Sequence, residues 1–297
     1  MIPVCVLTGF LGSGKTTLLA RLLKSPAFGR TAVIINEFGE VGLDHDLIET
    51  SDESFVTLQT GCLCCTIRGD LVLTLADILR RRDDGTVTPF DRVVIETSGL
   101  ADPAPILHAV MSDDALAERL TLAGVVTTVD AVHGAATMAR QPESVKQIAV
   151  ADRLVLTKTD LVAERPVAVL DRLQALNPSA PVLPASFGDI DPERLFDARI
   201  WDPVAPSLPS PARGGGLGRG DGPHAHHAHD RNRHDARIAS FALIREQPIP
   251  AVALTLFLEV LAEHCGADLL RLKGIVAIAE SPERPAVIHG VQHMFHA

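Results

Sequence analysis

Residues 9–16 read Gly9-Phe10-Leu11-Gly12-Ser13-Gly14-Lys15-Thr16, which fits the pattern G-x-x-x-x-G-K-[ST] of a phosphate-binding loop. The apolar residues 2–8 before the loop predict a buried strand, and residues 16–23 after it predict a helix. A phosphate-binding loop needs this order of strand, loop and helix. The context therefore favours a nucleotide site over the alternative, a glycine-rich turn that only joins a strand to a helix.

Each residue type in this loop has a chemical reason to face a nucleotide. Glycines let the backbone turn its N–H groups toward phosphate oxygens, and the N-terminus of the following helix adds a partial positive charge. We expect Lys15 to reach the β and γ phosphates and the Thr16 hydroxyl to ligate Mg²⁺. The other residues expected to hold the nucleotide here are Gly9, Gly12, Ser13, Gly14 and Thr17.

The size and charge of the chain narrow the classes of function. Its 297 residues suffice for one large and one smaller domain, and 46% hydrophobic residues supply an ample core. A net charge of −10 argues against nucleic acid as a main partner, because phosphate backbones bind clustered Lys and Arg. No apolar run is long enough for a membrane span and no secretion signal begins the chain, so we expect a cytoplasmic protein.

The first 200 residues alternate apolar, β-rich runs with helical patterns. This alternation is typical of an α/β domain with a mostly parallel sheet flanked by helices, expected here over residues 1–202. Together with the phosphate-binding loop, it predicts a P-loop NTPase domain. Ligands collect at the carboxyl ends of parallel strands, where the polar motifs of this region also fall. The predicted strands are 2–8, 31–36, 55–60, 92–95, 122–129, 154–156 and 180–185.

The composition changes after residue 202. Residues 203–236 are rich in Pro, Gly and His, which predicts a flexible linker without regular structure. Residues 237–297 predict a small α+β domain with a helix over 250–265. The strands expected in this domain are 238–243, 269–279 and 286–291. A domain of about 60 residues is marginal as an independent core.

The motif Thr157-Lys158-Thr159-Asp160 follows a predicted strand and resembles the guanine-specificity pattern [NST]-K-x-D. A carboxylate accepts from both N1–H and the 2-amino group of guanine, whereas adenine offers no such pair of donors. We therefore expect Asp160 to select guanine and the Lys158 stem to lie along the base. Thr157 stands where many GTPases have Asn, which leaves the contacts of that amide open. The alternative is a K-x-D triplet in a solvated turn.

Two acidic residues end other predicted strands. Glu96 follows strand 92–95, where an acid can hold the Mg²⁺ shell or orient a water molecule, and the alternative is that it caps the next turn. Asp130 has a similar position after strand 122–129, and we expect it to be a structural residue.

Three cysteines, Cys62, Cys64 and Cys65, lie within four residues. In an extended segment Cys62 and Cys64 point to the same side, so their thiolates can share an ion, and Cys65 can join them if the chain turns. Soft thiolates suit Zn²⁺ or Cu(I), with a fourth ligand from elsewhere or from water. The alternative is a redox pair or three surface thiols. Cys5 and Cys265 lie in apolar patterns, and we expect both to be packing residues.

The predicted linker contains a dense histidine tract. Neutral imidazoles so close together bind Zn²⁺, Ni²⁺ or Co²⁺, which favours an auxiliary, metal-collecting role over that of a polar spacer. The histidines expected to take part are His224, His226, His227 and His229. Isolated histidines such as His108, His133 and His293 are expected to be packing or surface residues.

Five segments occur in one order along the chain. They are 9–16, Asn36-Glu37-Phe38-Gly39-Glu40, Gly61-Cys62-Leu63-Cys64-Cys65, Glu96-Thr97-Ser98-Gly99 and 157–160. Together they closely resemble the CobW-type GTPases, which belong to the SIMIBI class of P-loop proteins. Residues 270–274 and 289–293 look like the C-terminal domain of that family, so the resemblance covers almost the whole chain. A His-rich segment between the domains is also usual there.

The resemblance implies GTP-dependent delivery of a metal, Zn²⁺ or Co²⁺, to a client metalloprotein. It implies that Cys62, Cys64 and Cys65 bind this metal. It also places Glu37 near the metal or the γ-phosphate, as part of the catalytic site. The implied cofactors are GTP, Mg²⁺ and the transition metal, and a homodimer is compatible with the resemblance. Family members usually continue beyond the position of Ala297, so the second domain looks shortened.

Two other classes of protein fit part of the sequence. One is a P-loop kinase or ATPase in which the cysteines are incidental. The other is a metal buffer or sensor in which the nucleotide site only regulates metal binding. The sequence favours a GTP-hydrolysing metallochaperone with slow intrinsic turnover, in which the bound nucleotide sets the metal affinity.

Overall fold

The structure is a computed structural model, and it describes residues 1–37, 55–59, 66–196, 238, 240–241, 243–266 and 268–296. The described strands of the first sheet are β1 Ile2–Gly9, β2 Thr31–Glu37, β3 Phe55–Gln59, β4 Arg92–Thr97, β5 Leu120–Asp130, β6 Arg153–Thr157 and β7 Val182–Pro184. They lie in the order β3-β2-β4-β1-β5-β6-β7, and every neighbouring pair is parallel. This sheet confirms the prediction of a parallel α/β domain.

Helices cover both faces of the first sheet. Those described are α1 Lys15–Leu23, α2 Thr66–Asp83, α3 Ala104–Ser112, α4 Asp114–Ala117, α5 Gly134–Arg140, α6 Pro142–Ala149, α7 Val167–Leu176 and α8 Pro192–Phe196. In β1, Val4 and Val6 join a core with residues of α2 and α3, whereas Cys5 and Leu7 join a core with residues of α1. Successive side chains of a strand point to opposite faces, so a strand covered on both faces reads as a continuous apolar run.

A smaller antiparallel sheet follows near the end of the chain. Its order is β10-β9-β8, with bounds β8 Leu272–Ile278, β9 Ser281–Val291 and β10 Met294–His296. Helix α9, Ala251–Cys265, packs on it through Leu254, which forms a small core with Ile278 and Ile288. The small α+β unit predicted from the sequence is therefore confirmed.

The strand predicted over 238–243 is wrong for the residues that the structure describes there. None of the described residues in this stretch has strand geometry. Phe241 and Leu243 are 81% and 76% exposed, so no described element covers these two side chains, whereas Ile238 packs against the core formed with α5, α6 and α7. An alternating pattern produces a strand only where a sheet edge and a core receive it.

Cys5 and Cys265 differ, although both lie in apolar patterns. Cys5 is 2% exposed, and burial raises the pKa of its thiol to about 12, which confirms that it is an inert packing residue. The prediction for Cys265 is wrong. It lies exposed at the end of α9, a helix with one buried residue, Leu254. Within the described part of the chain, neither α9 nor any other helix is both long and apolar enough to cross a bilayer.

A buried ion cluster joins the two sheets. The Asp152 carboxylate, next to the start of β6, accepts a 2.6 Å hydrogen bond from Val125 N and pairs with Arg271 Nη2 at 3.2 Å and with Lys273. Burial alone would raise the pKa of Asp152, but the charges of Arg271 and Lys273 outweigh it and hold the pKa below its ordinary value. Val291 of β9 is also fully buried, in the core that contains α2 and α3. The small sheet is thus packed on the first domain, where β9 and β10 contact α3.

Candidate nucleotide and metal site

The glycines of the phosphate-binding loop hold a shape that other residues would prevent. Gly9, Gly12 and Gly14 have φ angles of 142°, 70° and 90°, a range that L-residues rarely adopt. A Cβ on Gly9 would lie 2.3 Å from Thr128 Oγ1. Backbone geometry therefore selects glycine here, as expected for a loop that turns its N–H groups inward around phosphate.

Lys15 begins α1 and is folded back onto the loop. Its Nζ donates to Gly9 O at 2.9 Å and to Phe10 O at 3.3 Å, and the side chain is buried. Phosphate oxygens are charged acceptors and form stronger hydrogen bonds with an ammonium group than neutral carbonyls do. A bound nucleotide can therefore displace these contacts. Ser13 Oγ lies 2.6 Å from Thr128 Oγ1, which ties the loop to β5.

The acid at the end of β4 lies directly beside this loop. β1 and β4 are parallel neighbours with Leu7 opposite Glu96, so their carboxyl ends lie side by side. Thr16 Oγ1 donates to Glu96 Oε1 at 2.8 Å, and Glu96 is buried. A hydroxyl and a carboxylate are hard oxygen ligands of the kind that Mg²⁺ prefers. The pair therefore fits the cation that accompanies nucleoside triphosphates.

Thr157 holds the loop from the other side. Its hydroxyl donates to Ser13 O at 2.7 Å and to Val129 O at 3.1 Å. β5 and β6 pair with Asp130 opposite Thr157, which brings this hydroxyl under the loop. Thr157, which stands where many GTPases have Asn, thus holds the phosphate-binding loop against β5 through its short hydroxyl side chain.

Lys158 and Asp130 form an ion pair at the same edge of the sheet. Lys158 has a left-handed φ of 57°, and its Nζ donates to Asp130 Oδ2 at 2.7 Å. Asp130 Oδ1 accepts from the backbone N–H groups of Val132 and His133. Burial would raise the pKa of Asp130, but the hydrogen bonds from Lys158 and from these N–H groups hold it below its ordinary value. Asp130 has a structural role, as predicted. It holds the side chain of Lys158, the lysine of the base motif, in place.

Asp160 is exposed at the carboxyl edge of the sheet and contacts a turn that follows β7. Its Oδ1 accepts from Phe187 N at 3.2 Å and from Ser186 Oγ at 3.4 Å. Phe187 has a φ of 51°, and its ring is 67% exposed. Gly188 lies against α1, where a Cβ would come within 3.2 Å of Thr17 O. The turn is thus held between the base motif and the helix of the phosphate-binding loop.

Sequence reasoning missed this turn and the role of His133 at a cavity next to the loop. The only signal for the turn was a Ser and a Gly directly after the last strand. The cavity is lined, among others, by Phe10, Ser13, Asp130, His133 and Lys158. His133, expected to be an isolated packing or surface residue, therefore borders the candidate site.

The predicted transition-metal ligands lie outside the described residues: Cys62, Cys64, Cys65, His224, His226, His227 and His229. The elements around the cysteines are described. Glu37 ends β2 and pairs in register with Gln59, which ends β3, and α2 begins at Thr66. Over the ranges that the structure describes, no group of three or more His, Cys, Asp or Glu side chains could hold a metal ion.

Two family models match the chain. Residues 3–184 match the nucleotide-binding domain described as CobW/HypB/UreG. Residues 238–297 match the cobalamin synthesis protein cobW C-terminal domain. The first match includes the phosphate-binding loop, Glu96 and the base motif, and the second includes the small antiparallel sheet.

Relatives match over most of the chain as well. The zinc chaperone YjiA of Escherichia coli (strain K12) is 36% identical over 299 residues, which cover 100% of this chain and 88% of that protein. The zinc-regulated GTPase metalloprotein activator 1 of Schizosaccharomyces pombe is 35% identical over 198 residues, 64% of this chain and 47% of that protein. The crystal structure of the Zn(II)-bound YjiA GTPase from E. coli superposes with a TM-score of 0.69 at 31% identity, covering 99% of this chain and 87% of that one. The chain therefore belongs to the CobW/HypB/UreG family of P-loop nucleotide-binding proteins and carries a cobW C-terminal domain.

Proposed function

We propose that this chain hydrolyses GTP and that its nucleotide state controls how tightly it holds zinc for a client metalloprotein. The observation that carries the proposal is that Thr16, Glu96 and Thr157 meet around one phosphate-binding loop. The relatives support the same function, since one is a zinc chaperone and another a zinc-regulated GTPase metalloprotein activator.

Guanine recognition rests on Asp160 and the turn after β7. Asp160 Oδ1 accepts from Phe187 N and Ser186 Oγ. When guanine binds, its N1–H and 2-amino group donate to the carboxylate, and the released Phe187 N–H donates to the 6-oxo oxygen. Adenine carries an amino group at that position, so it would set a donor against the Phe187 N–H and leave the carboxylate unpaired.

Hydrolysis rests on positioning and charge. Lys15 places a positive charge beside the β and γ phosphates, and the Thr16 hydroxyl and the Glu96 carboxylate hold the oxygen-ligand site for Mg²⁺ between them. Mg²⁺ bound there would offset the charge of the transferred phosphoryl group. We also assign Glu96 the second role of orienting the attacking water. Without a further cation from a partner, turnover is slow.

The zinc site is formed by Cys62, Cys64 and Cys65, with Glu37 beside it. Cys62 follows Gln59 by three residues, and Gln59 ends β3 in register with Glu37 at the end of β2. In the sheet, β3, which precedes the cysteines, lies three strand spacings from β1, which precedes the phosphate-binding loop. This separation is about 14 Å. Three thiolates suit Zn²⁺, and Co²⁺ is the alternative cargo.

The segment after β2 can link the two sites. β2 pairs with β4, with Ile35 opposite Glu96, so the chain leaves β2 next to the acid that contacts Thr16. A γ-phosphate and its cation order such segments, and hydrolysis releases them. Zinc affinity therefore differs between the GTP-bound and GDP-bound forms, and the difference directs transfer to the client.

Anaerobic zinc titration of the GTP-analogue and GDP forms tests this proposal. The test variant is Cys62→Ser/Cys64→Ser/Cys65→Ser, and Cys265→Ser, which removes an exposed thiol on α9, is the matched control. We expect zinc affinities of the wild type and the control to differ by about tenfold or more between the two forms, and the triple variant to lose this difference. Equal affinities would contradict the coupling and leave a metal buffer. Unchanged zinc binding by the triple variant would exclude the cysteine site.

A further inference from the structure

Gln147, in the middle of α6, is a fully buried side-chain amide that contacts the loop following Glu96. Its exposed fraction is 0%. Its Nε2 donates to Gly99 O at 3.1 Å and to Ala101 O at 3.0 Å. Both partners are acceptors, so the amide group must present its nitrogen to them. One side chain therefore binds two carbonyl groups of a loop that lies nearly 50 residues away in the sequence.

That loop is packed against the phosphate-binding loop. A Cβ on Gly99 would lie 2.6 Å from Leu11 N, so the two backbones are in close contact at this point. At the start of the loop, Thr97 Oγ1 donates to Thr8 Oγ1 at 2.8 Å. The position of the loop is therefore coupled to the position of Glu96, the residue directly before Thr97.

A second contact from α6 holds the far end of the same loop. Lys146 Nζ donates to Asp102 Oδ2 at 3.0 Å, and Asp102 Oδ1 accepts from Ala104 N at the start of α3. Lys146 and Asp102 are partly exposed, so water screens this pair and it is the weaker restraint. Gln147 is thus the main restraint that α6 places on the loop.

Packing alone does not explain an amide at this position. The Oε1 atom of Gln147 meets no donor among the residues that the structure describes. A buried polar atom without a partner lowers stability, and an apolar side chain of similar size would avoid that cost. What an apolar side chain cannot do is donate to Gly99 O and Ala101 O.

We propose that Gln147 is a positioning residue for GTP hydrolysis: by holding the loop of residues 98–102 against the phosphate-binding loop, it keeps the Glu96 carboxylate beside Thr16. This inference rests on the proposed function of Glu96 and Thr16. A restraint of this kind acts on the transition state, in which the attacking water and the phosphoryl group must be aligned. It should contribute little to GDP binding, because GDP lacks the phosphoryl group that is transferred.

Single-turnover hydrolysis, GDP affinity and melting temperature of the full chain test the proposal. Gln147→Leu removes both donated hydrogen bonds while keeping the side-chain volume. The matched control is Asn177→Leu, because Asn177 is also a buried amide, and its Nδ2 donates to Ile148 O in the last turn of α6 and to Ala151 O just after that helix instead of to the loop of residues 98–102. Both variants lose stability, so the melting temperature reports the effect that they share.

We expect Gln147→Leu to slow single-turnover hydrolysis by about tenfold or more with GDP affinity within about threefold of the wild type. Asn177→Leu should lower the melting temperature and leave the hydrolysis rate within about twofold. A wild-type rate in Gln147→Leu, or an equal loss of rate in both variants, would overturn the proposal. Wild-type protein that hydrolyses no GTP would instead contradict the proposed function.

Gln147→Glu keeps the test valid if Gln147→Leu does not fold. A carboxylate cannot donate to the two carbonyls, whereas the protonated acid can donate to one of them. Burial raises the pKa of a carboxyl group. The rate of this variant relative to the wild type should therefore rise between about pH 8 and about pH 6. A relative rate that stays flat or falls would contradict the positioning role, and the melting temperature at the same pH values shows how much of any rise comes from neutralising a buried charge.

Discussion

The Thr16 hydroxyl donates a 2.8 Å hydrogen bond to the Glu96 carboxylate, although 80 residues separate them in the sequence. The contact exists because β1 and β4 are adjacent parallel strands whose carboxyl ends lie side by side. It brings together a hydroxyl at the start of α1 and a buried acid, the two oxygen ligands proposed for Mg²⁺.

Replacing Glu96 should slow GTP hydrolysis while leaving GDP affinity nearly unchanged. We expect Glu96→Gln to lower the single-turnover rate of GTP hydrolysis by about 10²-fold, because the amide neither orients water as a base does nor ligates Mg²⁺ as an anion. GDP affinity should change by less than about threefold. Glu118→Gln, at an exposed acid, is the control. Parallel losses of rate and GDP affinity in Glu96→Gln would indicate that Glu96 has a structural role instead.

Thr157 offers a test of how the phosphate-binding loop is held. Thr157→Val keeps the shape of the side chain but removes the hydroxyl that donates to Ser13 O and Val129 O. The hydroxyl has one proton to share between these two acceptors, a hydrogen bond worth about 0.5–1.5 kcal/mol, so nucleotide affinity should fall by about two- to tenfold. Thr157→Ser retains the hydroxyl and should bind like the wild type. Fluorescence titration with GDP measures both, and equal affinities of the two variants would show that the clamp does not matter.

Much of the first sheet was predictable because its strands are covered on both faces. Continuous apolar runs such as the one in β1 lack the polar positions that an amphipathic helix has, so they are recognised as buried strands. The phosphate-binding loop was equally predictable, since its glycines are required by positive φ angles within the loop itself. In both cases the information is local, and the residue types report it directly.

Contacts between distant strands were not predictable in the same way. Thr157 reaches Ser13 across 144 residues, and Lys158 reaches Asp130 only because β5 and β6 pair with Asp130 opposite Thr157. Strand order and register set these distances, and the residue types specify neither. Gln147 shows the same limit, since one glutamine in a short helix has no pattern that marks it as buried.

Base specificity should follow the Asp160 carboxylate. In Asp160→Asn an amide N–H replaces one acceptor, so it clashes with the 2-amino group of guanine and can donate to the 2-oxo group of xanthine. We expect GTP affinity to fall by at least about tenfold and XTP to bind more tightly than GTP. Competition titrations with GTP, XTP and ATP measure this, with Asp171→Asn, on the exposed face of α7, as the control. A variant that still prefers GTP would show that the base is read elsewhere.

The ion cluster at Asp152 should make the packing of the two sheets sensitive to acid. Its folded-state pKa lies below the ordinary value, so ionised Asp152 adds stability above its unfolded pKa of about 3.9. That stability is lost as the pH falls from there through the lower, folded pKa. At neutral pH, Asp152→Asn leaves Arg271 and Lys273 without a buried counter-ion and should lower the free energy of unfolding by about 3–5 kcal/mol.

Urea denaturation at several pH values measures this effect. Asp91→Asn is the control, because its ion pair with Arg30 is more than 60% exposed on both sides and should contribute less than about 1 kcal/mol. The Asp152→Asn variant should also show a shallower loss of stability as the pH falls below about 4, because it has no carboxylate to protonate there. If the acid slope of the variant matched that of the wild type, Asp152 would not be its source, and the attachment of the small sheet would depend on apolar contacts such as those of Val291.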